Sequence, residues 1–274
     1  MTRAVLSTLL LVLAFLVIVA VLVRLAQPRM SFFPFPGEDL TPARYGVPFD
    51  AVDIGTSDGE RLRAWWLPHE HAHAQVVYFH GNGGNLSVWS DILVETHRRG
   101  FSVLAVDYRG YGLSTGSPSE RGLYLDAEAA LEVFHERLRR PGVPVVYWGR
   151  SLGTAVAAFA ASRRQPDGVV LEAGFRDART LTREYPILWI FSWFSSYRFP
   201  TAEWMASARV PALVMHGTAD SVVPFRQGQW LFESLGGDKR FFAIEGADHN
   251  DARAPDTEAY WNAVNGFVSG LQLR

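Results

Sequence analysis

The chain has 274 residues, 26 of them Lys or Arg and 28 Asp or Glu, for a net charge of −2, with 48% apolar residues. This is an ordinary globular balance with no basic field to attract nucleic acid. Cysteine is absent, which excludes disulfides, thiolate metal sites, a cysteine nucleophile, a lipoprotein anchor and S-palmitoylation of the chain.

Residues 4–23 carry no charge and no proline. As a helix this stretch is about 30 Å long, the thickness of a bilayer hydrocarbon core. A secretory signal peptide would have a shorter apolar core followed by a small-x-small cleavage site, where this chain continues Arg24-Leu25-Ala26-Gln27-Pro28. Residues 1–27 therefore read as an uncleaved single-pass anchor, which places the protein in a membrane, the cytoplasmic or inner membrane in a bacterium. Arg3 and the α-amino group on one side nearly balance Arg24 and Arg29 on the other, so charge assigns no face to the domain that follows. Residues 28–48, rich in proline and aromatics from Phe32 to Pro48, read as an extended juxtamembrane linker and not as further helix.

The remaining residues, 49–274, suit one large α/β domain. Phe49 to Gly55 and Arg61 to Leu67 are β-prone runs joined by a short polar loop containing Asp58-Gly59, which predicts an antiparallel hairpin. His69, His71 and His73 follow in alternation and read as a solvated loop before a metal site. From Gln75 the pattern changes, with strands predicted at 76–79, 103–106, 143–148, 168–171, 212–216 and 240–244 and helices between them. The clearest helix is Arg121 to Arg139, where Leu123, Ala127, Ala130, Leu131, Phe134 and Leu138 form one apolar stripe. Strands alternating with amphipathic helices imply right-handed crossovers and a mostly parallel sheet, with the ligand site at the carboxyl ends of the strands.

Candidate chemistry collects at those ends. The strand over 143–148 leads into Gly149-Arg150-Ser151-Leu152-Gly153 and then a small-residue helix. This is the strand–turn–helix that lifts a serine hydroxyl above a sheet, and it makes Ser151 the candidate nucleophile. After the first parallel strand, His80-Gly81-Asn82-Gly83-Gly84-Asn85 lacks the lysine of a phosphate-binding loop. It reads as half of an oxyanion hole, with the backbone N–H groups of Asn82 and Leu152 as donors and His80 as a loop support. The glycines and aromatics of Asp107 to Ser114 suggest a turn pinned by a buried salt bridge. Asp220 lies on the loop after the strand ending at His216, and His249 on the loop after the last strand. Ser151, Asp220 and His249 thus follow the chain order that the hydrolase triad requires, with His249 as base and Asp220 as its orienting acid. Glu172, just past the strand at 168–171, is the other available acid. Residues 175–206 form a long insert rich in Trp and Phe, readable as a core helix or as an apolar lid beside the site.

With these motifs in place the chain resembles the α/β-hydrolase superfamily. More narrowly it resembles the membrane-anchored single-domain serine hydrolases that include eukaryotic depalmitoylases and their bacterial relatives. The matching residues are 80–85, 107–114, 149–153, Tyr197-Arg198-Phe199, 216–220 and 248–251. The resemblance implies the α/β-hydrolase fold, Ser151, Asp220 and His249 in the roles above, no metal or cofactor, and a small or lipid-like acyl substrate. The cysteine-rich lipidated N-terminus of the depalmitoylases is replaced here by the apolar stretch. The expectation is a membrane-tethered serine hydrolase of carboxylic esters or thioesters. A serine peptidase or aminopeptidase on the same fold, and a non-catalytic binding scaffold, are the alternatives. Oligomeric state is not encoded in these patterns.

Overall fold

The computed structural model describes residues 3–251 and 256–273. Residues 1 and 2 of the predicted anchor, and 252–255 and 274 of the predicted domain, lie outside the described residues. The chain opens with helix α1 (Arg3–Ser31) and a two-residue strand β1 (Phe33–Pro34), then β2 (Asp50–Gly55), β3 (Arg61–Leu67) and β4 (Ala74–Phe79). A second two-residue strand β5 (Gly83–Gly84) precedes α2 (Leu86–Arg98), β6 (Phe101–Val106) and α3 (Glu120–Val133). Next come β7 (Val145–Arg150), α4 (Leu152–Arg163) and β8 (Gly168–Glu172), followed by α5 (Ala178–Thr182), α6 (Pro186–Ser192) and α7 (Thr201–Ala208). The order ends with β9 (Ala212–Gly217), α8 (Phe225–Ser234), β10 (Lys239–Ile244) and α9 (Thr257–Val268).

Eight strands form one sheet in the order β10-β9-β8-β7-β4-β6-β3-β2. The hairpin β2–β3 and the pair β3–β6 are antiparallel, and the other pairings are parallel. Parallel strands covered by helices on both faces read as continuous apolar runs, and β4, β6, β7, β8 and β9 are buried along their whole length. One core, with Leu123, Val156, Met205 and Leu231, lies under α3, α4, α7 and α8. The other, with Ile92, Trp148, Trp261 and Val264, lies under α2 and α9. The six predicted parallel strands are all present. The helix predicted to reach Arg139 instead ends its regular course at Val133. One wider turn follows, in which the Arg139 N–H donates to the Phe134 carbonyl at 2.7 Å and Phe134 stays fully buried.

Three predicted loops take definite form. His69 packs edge-on against His97, and His73 against Phe101. The turn after β6 is pinned by charge: Arg109 Nε donates to Asp126 Oδ1 at 2.8 Å, and its Nη1 to Asp58 Oδ2 at 2.7 Å. The first half of the predicted linker is not an extended arm. Helix α1 runs on to Ser31 with Pro28 inside it, a position that forfeits one backbone bond and crowds the preceding turn. Contacts of that last turn offset the loss. Gln27 Nε2 donates to Ser195 Oγ at 2.5 Å, and Gln27 Oε1 accepts from the Ser196 N–H at 3.1 Å. Phe32, 3% exposed, packs against Tyr197 and Phe199. The insert at 175–206 resolves into α5, α6 and α7. Helix α7 buries Met205 and Ala208, whereas Trp189, Ile190 and Trp193, on and just after α6, stay exposed.

Removing the inner partner of the Arg109 cluster would strand a buried guanidinium. Asp126→Ala is expected to lower unfolding stability by about 3 kcal/mol in urea denaturation; a change within experimental error would show that Asp58 alone satisfies Arg109.

Candidate active site

Strand β7 ends at Arg150 and α4 begins at Leu152, so one residue, Ser151, must turn the chain. It does so at φ 52° and ψ −118°, a left-handed conformation that costs an ordinary residue of order 1–3 kcal/mol. The surroundings hold it there. A Cβ on Gly149 would collide with the Gly153 carbonyl, and one on Gly153 with the Phe79 carbonyl. Glycine at both positions is therefore required for β7, β4 and α4 to approach this closely. The Ser151 N–H donates to the Glu172 carbonyl at 2.8 Å, tying the turn to β8.

The three residues predicted to act together do meet. His249 Nε2 lies 3.1 Å from Ser151 Oγ, and its Nδ1 lies 2.7 Å from Asp220 Oδ2. Asp220 and His249 are buried, and Ser151 is half-buried. Burial pushes the Asp220 carboxyl up, but hydrogen bonds from His216, His249 and the Val223 backbone outweigh it and hold the group below the usual carboxylate range. Asp220 Oδ1 accepts from the N–H groups of Val222 and Val223 at 2.9 and 2.6 Å. The His249 loop is held in turn by Asp248, whose Oδ1 accepts from the N–H of His249 and of Ser221.

Around the serine lies the glycine-rich loop after β4. A Cβ on Gly81 would sit 3.5 Å from Ser151 Cβ and against the Trp89 ring, which puts Asn82 beside the reacting hydroxyl. Leu152 supplies the first N–H of α4, a group with no intrahelical acceptor. Among the described residues no acceptor engages the N–H of Asn82 or of Leu152. His80 is fully buried beneath this loop with Nδ1 2.7 Å from the Gly81 carbonyl. Asp107 accepts from the Leu86 N–H at 2.9 Å and lies 3.5 Å from His80 Nε2, so it supports the loop from below.

Glu172 does not reach His249. Its Oε2 accepts from Trp148 Nε1 at 3.2 Å and Tyr260 OH at 2.9 Å, and its Oε1 pairs with Arg150 Nη1 at 3.4 Å. Arg150 then donates Nη2 to the His249 carbonyl at 2.8 Å and lies 5.3 Å from the Trp89 ring centroid. Sequence patterning does not single out Arg150, although one signal was present. Arg150 and Glu172 are partners in register on adjacent parallel strands, and a buried arginine at a strand end needs a carboxylate beside it.

Residues 70–207, half of the chain, match a family described as serine aminopeptidase, S33. An uncharacterized protein of Mycobacterium tuberculosis is 33% identical over 89% of this chain and 87% of its own length. An uncharacterized membrane protein of Saccharomyces cerevisiae is 32% identical over 83% and 82% respectively. The lysophosphatidylserine lipase ABHD12 of Macaca fascicularis is 36% identical over 74% of this chain and 55% of its own. Among solved structures, the Pyrococcus furiosus esterase Pf2001 superposes with a TM-score of 0.71 over 87% of this chain and 97% of that one, at 20% identity, a likeness of fold.

Two measurements separate the carboxylates. Asp220→Asn is expected to lower kcat about 10⁴-fold through loss of the imidazole's orientation, whereas Glu172→Gln is expected to lower stability, with kcat falling far less. The reverse order would make Glu172 the orienting acid. The second measurement is acid stability. The Asp220 carboxyl is depressed in the folded state, so its contribution is complete above the unfolded value of about 3.9 and is lost as pH falls below it. Asp220→Asn is therefore expected to remove part of the acid limb of a plot of Tm against pH, and an unaltered limb would refute the assignment.

Proposed function

Because the chain belongs to the α/β-hydrolase superfamily, in the family described as serine aminopeptidase, S33, we propose that it is a membrane-tethered serine hydrolase cleaving carboxylic esters or thioesters through an acyl-enzyme. The observation that carries the reading is the continuous relay Asp220–His249–Ser151, with links of 2.7 and 3.1 Å. In it, Ser151 Oγ attacks the acyl carbon while His249 Nε2 takes the hydroxyl proton. Asp220 holds the imidazole tautomer and stabilises the imidazolium that forms. The N–H groups of Asn82 and Leu152 receive the developing oxyanion, each worth about 3 kcal/mol. His249 returns the proton to the leaving alcohol or thiol, and water then releases the acid by the same route. These groups supply the base, nucleophile and oxyanion donors, so the chemistry calls for no metal or cofactor.

Two features support a lipid-like acyl substrate met at a membrane. Helix α1 is long and apolar enough to cross a bilayer and none of its apolar window is buried. Trp193 is 68% exposed and Ile190 61%, an apolar surface suited to acyl chains or an interface. The segment bearing them runs from the acid loop, where Tyr185 OH donates to the Val222 carbonyl at 2.7 Å, to the end of α1 at Ser195. That span gives it the place of a lid. The likeness to a lysophosphatidylserine lipase points the same way. The family description favours a second reading, an aminopeptidase working through the same residues.

A fluorophosphonate probe is expected to label the wild type and not Ser151→Ala; equal labelling of both would remove Ser151 as nucleophile. Panels of esters, thioesters and aminoacyl amides then divide the readings. Long-chain esters or thioesters are expected to be turned over fastest, and a preference for amides would establish the peptidase instead.

A further inference from the structure

Residues 31–37 lie against the loop that carries the proposed oxyanion donor, and their contacts there are specific. Ser31 ends α1, so its carbonyl is one of those without an intrahelical donor. Asn82 Nδ2 fills that need at 2.7 Å. The other end of the Asn82 amide is held as well. Tyr111 OH, whose burial pushes the phenol well above its usual range and keeps it a donor, lies 3.0 Å from Asn82 Oδ1 and 2.9 Å from the Asn82 carbonyl. Beyond Asn82 the loop becomes β5, which pairs in parallel with β1 in the register Phe33 to Gly83 and Pro34 to Gly84. The Phe35 N–H donates to the Gly84 carbonyl at 3.0 Å, and Asn85 Nδ2 donates to the Gly37 carbonyl at 2.9 Å. Ahead of Asn82, the Gly81 carbonyl is 2.7 Å from His80 Nδ1.

We infer that the juxtamembrane segment is part of the catalytic centre: through the Asn82 side chain, the end of α1 positions the oxyanion loop over Ser151. Asn82 then has two separable parts. Its backbone N–H faces the reacting carbonyl, and its side-chain amide is a positioning group that joins the Ser31 carbonyl to Tyr111. The inference rests on the serine-hydrolase reading and adds to it a role for the membrane-proximal chain that tethering alone does not need. Oxyanion donors work only when preorganised, so loosening the loop lowers turnover without weakening ground-state binding.

The test uses full-length protein in detergent micelles, a p-nitrophenyl ester as substrate and an alkyl boronic acid as inhibitor. The boronate's tetrahedral anion reports the oxyanion site directly. Sites are counted by fluorophosphonate titration, so rates refer to folded, competent enzyme. Asn82→Ala is expected to lower kcat about ten- to a hundredfold, to weaken boronate binding by a similar factor and to leave KM essentially unchanged. Asn82→Asp keeps an acceptor for Tyr111 but has no donor for the Ser31 carbonyl, and is expected to fall as far. Wild-type kcat and boronate affinity per titrated site in Asn82→Ala would overturn the inference. Rescue by Asn82→Asp would also overturn it, because Tyr111 alone would then hold the loop. Ser151→Ala separates the two levels. If it retains turnover the serine-hydrolase reading fails, and if it is inactive while Asn82→Ala matches wild type only the positioning role fails.

Discussion

The site depends on one backbone constraint, the left-handed turn at Ser151. A residue at φ 52° between a buried strand and a buried helix is held by its neighbours, and the two glycines either side are the condition for their approach. The turn also sets parity. With Ser151 committed to the open face, Arg150 lies on the other side, beneath the His249 loop and against Glu172. One geometric commitment thus presents the hydroxyl and anchors the base's loop.

Buried charge does the remaining positioning. Arg150 and Glu172 are both nearly inaccessible to water, and burying such a pair adds little net stability over apolar substitutes. Its effect is directional. Glu172 gathers Trp148 from its neighbouring strand and Tyr260 from α9, and Arg150 extends that network to the His249 carbonyl. The helix after the histidine loop and the strand before the serine are therefore joined through one carboxylate. Across the sheet, the Arg109 cluster does the same for the turn after β6, linking it to α3 and to the β2–β3 loop.

Much of this was legible in the sequence. The parallel strands were visible because each is a continuous apolar run, and the three residues of the relay because each follows a strand in a chain order that a parallel sheet makes meaningful. Less legible were features set by partners distant in sequence. The reach of α1 past Pro28 depends on Ser195 and Ser196, and no local pattern foretells that. The pairing of β1 with β5 involves two residues on each side, too short for any periodicity to register. The wider turn after Val133 is likewise decided by where Phe134 must pack, since its apolar spacing matches an ordinary helix. Glu172 remained a rival acid in the sequence because position relative to a strand end does not say which way a side chain leans.

The unbroken run of α1 into the domain has a consequence for reach. A helix of 29 residues is about 43 Å long, close to the full thickness of a bilayer with its headgroups. A flexible linker would let a tethered domain explore a volume that grows with the square root of linker length, but here the helix end is bonded to the domain itself. Under the proposed tethering the attachment is a depth gauge and not a leash. Ser151 is held at one height relative to the lipid surface, and molecules whose scissile bond lies at that height are favoured whatever their chemistry elsewhere.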